Sequence, residues 1–237
     1  VAYELDGVQY PSVTSILSQL EKPALISWAS NCAVDHIAEN IKTIQNPSGP
    51  HVVDHVLRDA RQAFRHAGDK AKGIGTMVHD AIEQYVKGGK DAIGEVPPEV
   101  ENSLLAFYDW EAKNHVVWEE SELTLFNTKD GYCGTCDAVA TVNGVRYLVD
   151  FKTSKAVYDE YRLQLAAYRE AYNLMFPDKY LDHVAVLRLD KATGEPEWRD
   201  LDNNLLHNLR TFKVLTTLYY VQKKRRLKNN PWVELYW

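Results

Sequence analysis

The sequence predicts an α/β fold: a small mixed β-sheet flanked by helices, with a mostly helical region ahead of it. Three observations predict it. Apolar spacing is close to helical over much of the chain before residue 108, then changes to a period of two over 118–126, 132–142 and 145–151, where β-branched residues accumulate. Asn143-Gly144 joins two of those runs and is the strongest short-range signal for a two-residue hairpin. Helical spacing returns over 158–175, and a strand at 180–189, a short strand at 197–201 and a long helix at 205–227 follow.

The first 70 residues read as mostly helical. Pro11-Ser12-Val13-Thr14-Ser15-Ile16-Leu17 has the form of a capped helix start, with Ser12 or Thr14 as the N-cap. A second helix is expected over 24–42, and Asn46-Pro47-Ser48-Gly49-Pro50 breaks the pattern before a third over 52–66. Gly73-Ile74-Gly75-Thr76 introduces a separate helix over 76–86, which Gly88-Gly89 ends. Pro97-Pro98 opens another, with Val100, Leu104, Leu105, Phe107 and Tyr108 at helical spacing. The expectation is one domain: a helical region at 1–72, a core at 73–190, and a strand with a basic helix at 191–237.

Composition narrows the classes. At 237 residues, 45% hydrophobic and 25% charged, with 12 Gly and 9 Pro, the chain is neither disordered, collagen-like nor a coiled coil. No apolar run approaches the roughly 20 residues that span a bilayer, so no membrane partner is expected. Three cysteines, an odd number, argue against a disulfide scaffold and suit a reducing compartment. The expected location is cytoplasmic, in a bacterial or phage setting ahead of a mitochondrial one. The net charge of −6 is unevenly spread. No acidic residue lies between Asp202 and Glu234, while Arg210, Lys213, Lys223, Lys224, Arg225, Arg226 and Lys228 are all basic. That segment is either a phosphate-binding face or a solvated helix end.

The Asn143-Gly144 turn fixes a register. If Val142 pairs with Val145, Asp137 falls opposite Asp150, with Cβ atoms about 4.5–5.5 Å apart, and Lys152 projects from the same face. Like charges across a ladder destabilise it, and Asp150 sits in the apolar run Tyr147-Leu148-Val149-Asp150-Phe151. A divalent cation between the carboxylates removes both objections, and Mg²⁺ keeps waters that leave room for a phosphate. The alternative is that Lys152 neutralises one aspartate while the other faces solvent.

Other candidates carry less by themselves. His79 and Glu83 share a helix face, which ordinary packing also explains. Gln164 and Tyr168 form another i,i+4 pair in an apolar helix, as a satisfied core contact or as an edge directed at a site. Cys133-Gly134-Thr135-Cys136 lies in a strand without further ligands at zinc spacing, so both cysteines read as packing residues.

Taken in order, these residues resemble the RecB-type branch of the PD-(D/E)xK nuclease superfamily. Gly75-Thr76-Met77-Val78-His79 is similar to its histidine motif, and Gly134-Thr135-Cys136-Asp137 to its GxxD. Asp150-Phe151-Lys152-Thr153-Ser154 is similar to its DxK, and Gln164-Leu165-Ala166-Ala167-Tyr168 to its QxxxY. The segment Tyr10-Pro11-Ser12-Val13-Thr14 and Trp28 resemble the entry region of small stand-alone members, including phage exonucleases and the mitochondrial genome-maintenance exonuclease.

The resemblance implies a restriction-endonuclease-like core. It implies one or two Mg²⁺ or Mn²⁺ ions held by His79, Asp137, Asp150 and the Phe151 carbonyl. Lys152 would position or deprotonate the attacking water, or stabilise the pentavalent state, and Glu122, with Glu120 as a competing choice, would be a further acid. Gln164 and Tyr168 would orient the site or contact DNA, and Lys223, Lys224, Arg225 and Arg226 would grip phosphates. Some relatives bind an iron–sulfur cluster through four cysteines; with only Cys32, Cys133 and Cys136 here, none is expected. The implied activity is metal-dependent exonucleolysis of DNA from its ends, with single strands slightly preferred, in recombination, repair or replication. A recombinase, an annealing protein or a single-strand-binding protein would be a partner. The alternatives are a duplex-resecting exonuclease paired with an annealing protein, a structure-specific endonuclease, and a nuclease-like domain that only binds nucleic acid.

Overall fold

The computed structural model describes residues 2–223 and 231–232. The chain divides into two compact units, one made of residues 1–19 and 77–237, the other of 20–76. The first unit is α/β and carries two sheets.

Its chain begins with a hairpin, β1 (Ala2–Leu5) and β2 (Val8–Pro11), where a helical region was expected. Asp6 and Gly7 turn it with φ of 50° and 78°. Asp-Gly favours that double left-handed turn, so the signal lay in the sequence, on strands too short to show a period. Ser12 caps α1 (Val13–Leu17), its hydroxyl accepting the Ser15 N–H at 3.1 Å.

The second unit holds α2 (Pro23–Glu39), α3 (Ile41–Gln45) and the first part of α4 (Val52–Gly88). The expected break at Gly73-Ile74-Gly75 does not occur, and α4 is one helix of 37 residues. Glycine costs about 1 kcal/mol against alanine inside a helix. Ile74, Val78, Ala81 and Ile82 keep helical spacing through the glycines and are all buried, and that burial outweighs the local cost. The helix expected over 24–42 ends at Glu39 and restarts as α3.

Residues 77–88 of α4 belong to the first unit, followed by α5 (Pro98–Lys113), β3 (Val116–Asn127), β4 (Tyr132–Val142), β5 (Val145–Lys152), α6 (Asp159–Met175), β6 (His183–Leu189), β7 (Pro196–Asp200) and α7 (Leu205–Lys223). The five strands form one sheet in the order β3-β4-β5-β6-β7. It is mixed: β5 and β6 are parallel and the other neighbours antiparallel. The parallel pair requires a crossover, which α6 supplies.

Alternate residues of β5 meet different helices. Arg146 reaches the Tyr172 hydroxyl of α6 at 2.8 Å, whereas Tyr147 packs on Trp198, which stacks on Trp110 of α5 at 4.8 Å. Phe151 meets Phe107 of α5 edge-on. The sheet thus lies between α6 and α5, and β4 and β5 run nearly free of solvent through the middle. No helix among the described residues is long and apolar enough to cross a membrane.

Candidate functional site

The hairpin register is the one the Asn143-Gly144 turn dictates: Val142 pairs with Val145, and the ladder continues to Ala138 opposite Val149. Asp137 and Asp150 are the next residues along, and there the strands cease to pair through backbone alone. The Asp137 Oδ2 accepts the Phe151 N–H at 2.6 Å. A carboxylate thus serves as the acceptor and is held in mid-β4, where the β4–β5 ladder stops.

A third acid comes from β3. Ser121 pairs with Ala138 and Leu123 with Cys136, so Glu122 stands opposite Asp137. Its φ is 51°, in the left-handed region, inside a strand. Such a conformation costs a non-glycine residue about 1–3 kcal/mol and persists only where the surroundings impose it. A bulge between Trp118 and Glu120 lies just ahead of it. Three neighbouring strands therefore each bring a carboxylate to one place. Glu120, the competing choice, pairs with Val139 and is exposed.

His79 of α4 completes the group. Its Nδ1 lies 3.4 Å from Asp137 Oδ1 and 4.0 Å from Glu122 Oε1. Ligand atoms of His79, Glu122 and Asp137 all lie within 4.8 Å of one another. The ring packs edge-on against Phe151, 6.2 Å between centroids. Glu83, one turn on, pairs with Lys87.

Asp150 stands outside that threesome and is held by α6. Gln164 Nε2 donates to Asp150 Oδ1 at 3.2 Å and to the Tyr168 hydroxyl at 3.3 Å. The i,i+4 pair is thus an edge directed at the aspartate. Lys152 Nζ lies 2.5 Å from Asp150 Oδ2, a charge-assisted contact to a buried carboxylate oxygen. The Lys152 ammonium also sits 5.0 Å from the Tyr161 ring centroid. Tyr161, Gln164 and Tyr168 recur at three and four residues, so one face of α6 holds both Lys152 and Asp150. Sequence reasoning missed Tyr161; its place one turn ahead of Gln164 was the available signal.

Gly134 has a steric reason. A Cβ there would lie 2.5 Å from Tyr168 Cε1, so only glycine lets that ring lie against β4. Cys133 and Cys136 are free and fully buried. The Cys133 thiol donates to the Tyr10 and Pro11 carbonyls at 3.4 Å, and burial pushes it up to about 12. Both cysteines pack rather than react.

The acids and bases perturb one another. Burial opposes charge on His79, but the charge and hydrogen bond of Asp137 outweigh it and raise the imidazole to about 9. Burial also opposes charge on Asp137, and the His79 cation more than offsets this and lowers it. Glu122 is raised to about 7, first by burial and then by repulsion from Asp137. Burial raises Asp150 despite Lys152. Lys152 is raised because Asp150 and Asp137 overcome its burial. One acid stays ionised while its neighbours hold protons more readily, as expected where three crowded carboxylates share two cations in a buried place.

This donor set suits a hard or borderline divalent cation. Glu122, Asp137 and His79 present oxygen and nitrogen at mutual ligand distance, and Asp150 adds a buried carboxylate whose Oδ2 faces Lys152. Of the expected phosphate grip, Lys224, Arg225 and Arg226 lie outside the described residues, and Lys223 is the last residue of α7.

A scan of the sequence against protein-family models finds no match, and a search of curated proteins finds none of significant similarity.

Proposed function

We propose that the protein is a metal-dependent deoxyribonuclease with a restriction-endonuclease-like core, an exonuclease that works from DNA ends and prefers single strands. The observation that carries this reading is the meeting of Glu122, Asp137 and Asp150 from three adjacent strands, with His79 on one side and Lys152 on the other. Three acids gathered with a histidine and a buried lysine at one point of the sheet are poorly explained as a structural feature.

His79, Glu122, Asp137 and Asp150 would hold Mg²⁺ or Mn²⁺, with the Phe151 carbonyl as an additional oxygen. When bound, the ion lowers the pKa of a water and offsets charge on the phosphate. The chain supplies the rest. Gln164 fixes the Asp150 carboxylate through one oxygen, and Lys152 faces the other. The Phe151 N–H fixes Asp137 in the same manner. Lys152, oriented by Tyr161, offers a compact positive charge to the scissile phosphate and its attacking water. His79, protonated near neutrality in the metal-free protein, must lose its proton to become a ligand, so metal binding releases protons.

The test compares wild type with Asp150→Ala and Lys152→Ala on linear DNA bearing separate 5′ and 3′ labels, with Mg²⁺, Mn²⁺ or EDTA. Expected are cleavage only with metal and a loss of about a hundredfold or more in each variant. Activity that survives in both variants would overturn the site. Closed circles cut as fast as linear strands would point to an endonuclease.

A further inference from the structure

The second unit carries a groove that neither the fold nor the acid cluster uses. None of the 17 residues of α2 is buried, and Leu25, Ile26, Trp28 and Val34 are among its exposed side chains. A groove of about 710 Å³ runs between α2 and α4, lined by Leu25, Ile26, Trp28, Phe64, Arg65 and Asp69 among others.

The neighbouring face of α4 is basic on balance, four cations sharing it with Asp54 and Asp69. Arg58, Arg61, Arg65, Gly68 and Lys72 follow one another at three and four residues, so they form one stripe. All four cations are exposed, and none has a carboxylate partner among the described residues. Gly68 interrupts the stripe where the indole lies: the Trp28 ring edge is 3.6 Å from the position a Cβ of Gly68 would take. Arg65 lies 5.7 Å from the centroid of the Phe64 ring. Aromatic rings thus line a groove together with Arg65 and Asp69, and Arg58, Arg61 and Lys72 continue the line of cations along α4.

We infer that this groove binds single-stranded nucleic acid, with bases against Trp28 and Phe64 and phosphates along Arg58, Arg61, Arg65 and Lys72. Charge complementarity selects the occupant: an apolar peptide leaves four cations unused, and a duplex keeps its base faces inside its own stack. A single strand presents both a π-face and a negative backbone. The inference rests on the nucleic-acid reading of the proposed function and adds to it the form of the substrate and where the strand is gripped.

The experiment measures binding without turnover. A fluorescein-labelled oligothymidylate of about 16 nucleotides is titrated with the full chain in excess EDTA, at several salt concentrations, and followed by anisotropy. Circular dichroism confirms that each variant is folded. Trp28→Ala is expected to weaken binding about tenfold, and Trp28→Phe, which keeps a ring, to retain most of the affinity. Arg61→Gln with Arg65→Gln, both on exposed positions, should make the salt slope shallower by about 1.4. Affinity and slope unchanged in these variants would overturn the inference. So would an equal loss on duplex DNA, or competition by a polyglutamate peptide as strong as that by oligothymidylate, which would mark an acidic protein partner. Asp150→Ala separates the two readings: it should abolish Mg²⁺-dependent cleavage while binding in EDTA is unchanged. Wild type that binds the strand but never cleaves would sink the nuclease and leave the groove standing.

Discussion

Replacing Gly134 with alanine tests whether the site is built by close packing. The added methyl would lie 2.5 Å from Tyr168 Cε1 and 3.3 Å from its Cζ and Oη. To restore an ordinary contact the ring must move by about 1 Å, and Tyr168 is only 4% exposed, so it has no solvent to move into. Overpacking of that kind costs about 1–3 kcal/mol. The shift also strains the hydrogen bond from Gln164 to the Tyr168 hydroxyl, worth about 1 kcal/mol. Gln164 is the side chain that holds Asp150, so the disturbance reaches the acid cluster. A total of about 2–4 kcal/mol corresponds to a fall in Tm of roughly 4–16 °C for a chain of this size. The assay is a double-mutant cycle by thermal or urea unfolding with Gly134→Ala, Tyr168→Ala and the pair. If the ring is what the methyl meets, the pair should be no less stable than Tyr168→Ala alone. Costs that simply add would refute the reasoning, since the methyl would then be clashing with something else.

Three further outcomes follow from the geometry. In the metal-free protein, His79 should titrate near pH 9 by NMR, and Asp137→Asn should drop it sharply, because burial and the Lys152 charge are then no longer outweighed by Asp137. By linkage, a histidine raised on folding stabilises the native state fully below about pH 6.5 and loses that contribution as the pH rises through about 9. Metal-free wild type should therefore lose more stability than His79→Gln between those values, and a parallel decline would contradict the His79–Asp137 pair. Tyr161→Phe, which keeps the ring over Lys152, should retain cleavage, whereas Tyr161→Leu should lower kcat with little change in KM; equal loss in both would assign the role to the hydroxyl instead.

The hairpin shows why part of this site could be read from the chain. A two-residue turn has one register, so Asn143-Gly144 by itself orders Asp137, Asp150 and Lys152, and the ladder observed up to Ala138 and Val149 follows that count. Glu122 was reachable by the same arithmetic. The loop at 128–131 closes Asn127 against Tyr132, and counting back from it puts Glu122 opposite Asp137. The loop carries its own signals, Asn127 accepting the Asp130 N–H at 2.8 Å and Gly131 at φ 76°. The family resemblance names it, with Glu120 as a competing choice; what no side-chain pattern announces is its left-handed backbone.

Local chemistry alone also settled the α/β class, the order of most elements, a capped helix start at Ser12 or Thr14 and the helical spacing that lets Gln164 and Tyr168 act together. These depend on periods and turns within a few residues of one another. Only the folded chain decided that α4 runs unbroken through its glycines, that Tyr161 lies over Lys152, and that His79 reaches Asp137 from a helix distant in sequence. The reason is physical: burial and charge act between residues that the sequence separates, and their energies exceed the propensities that local reading can weigh.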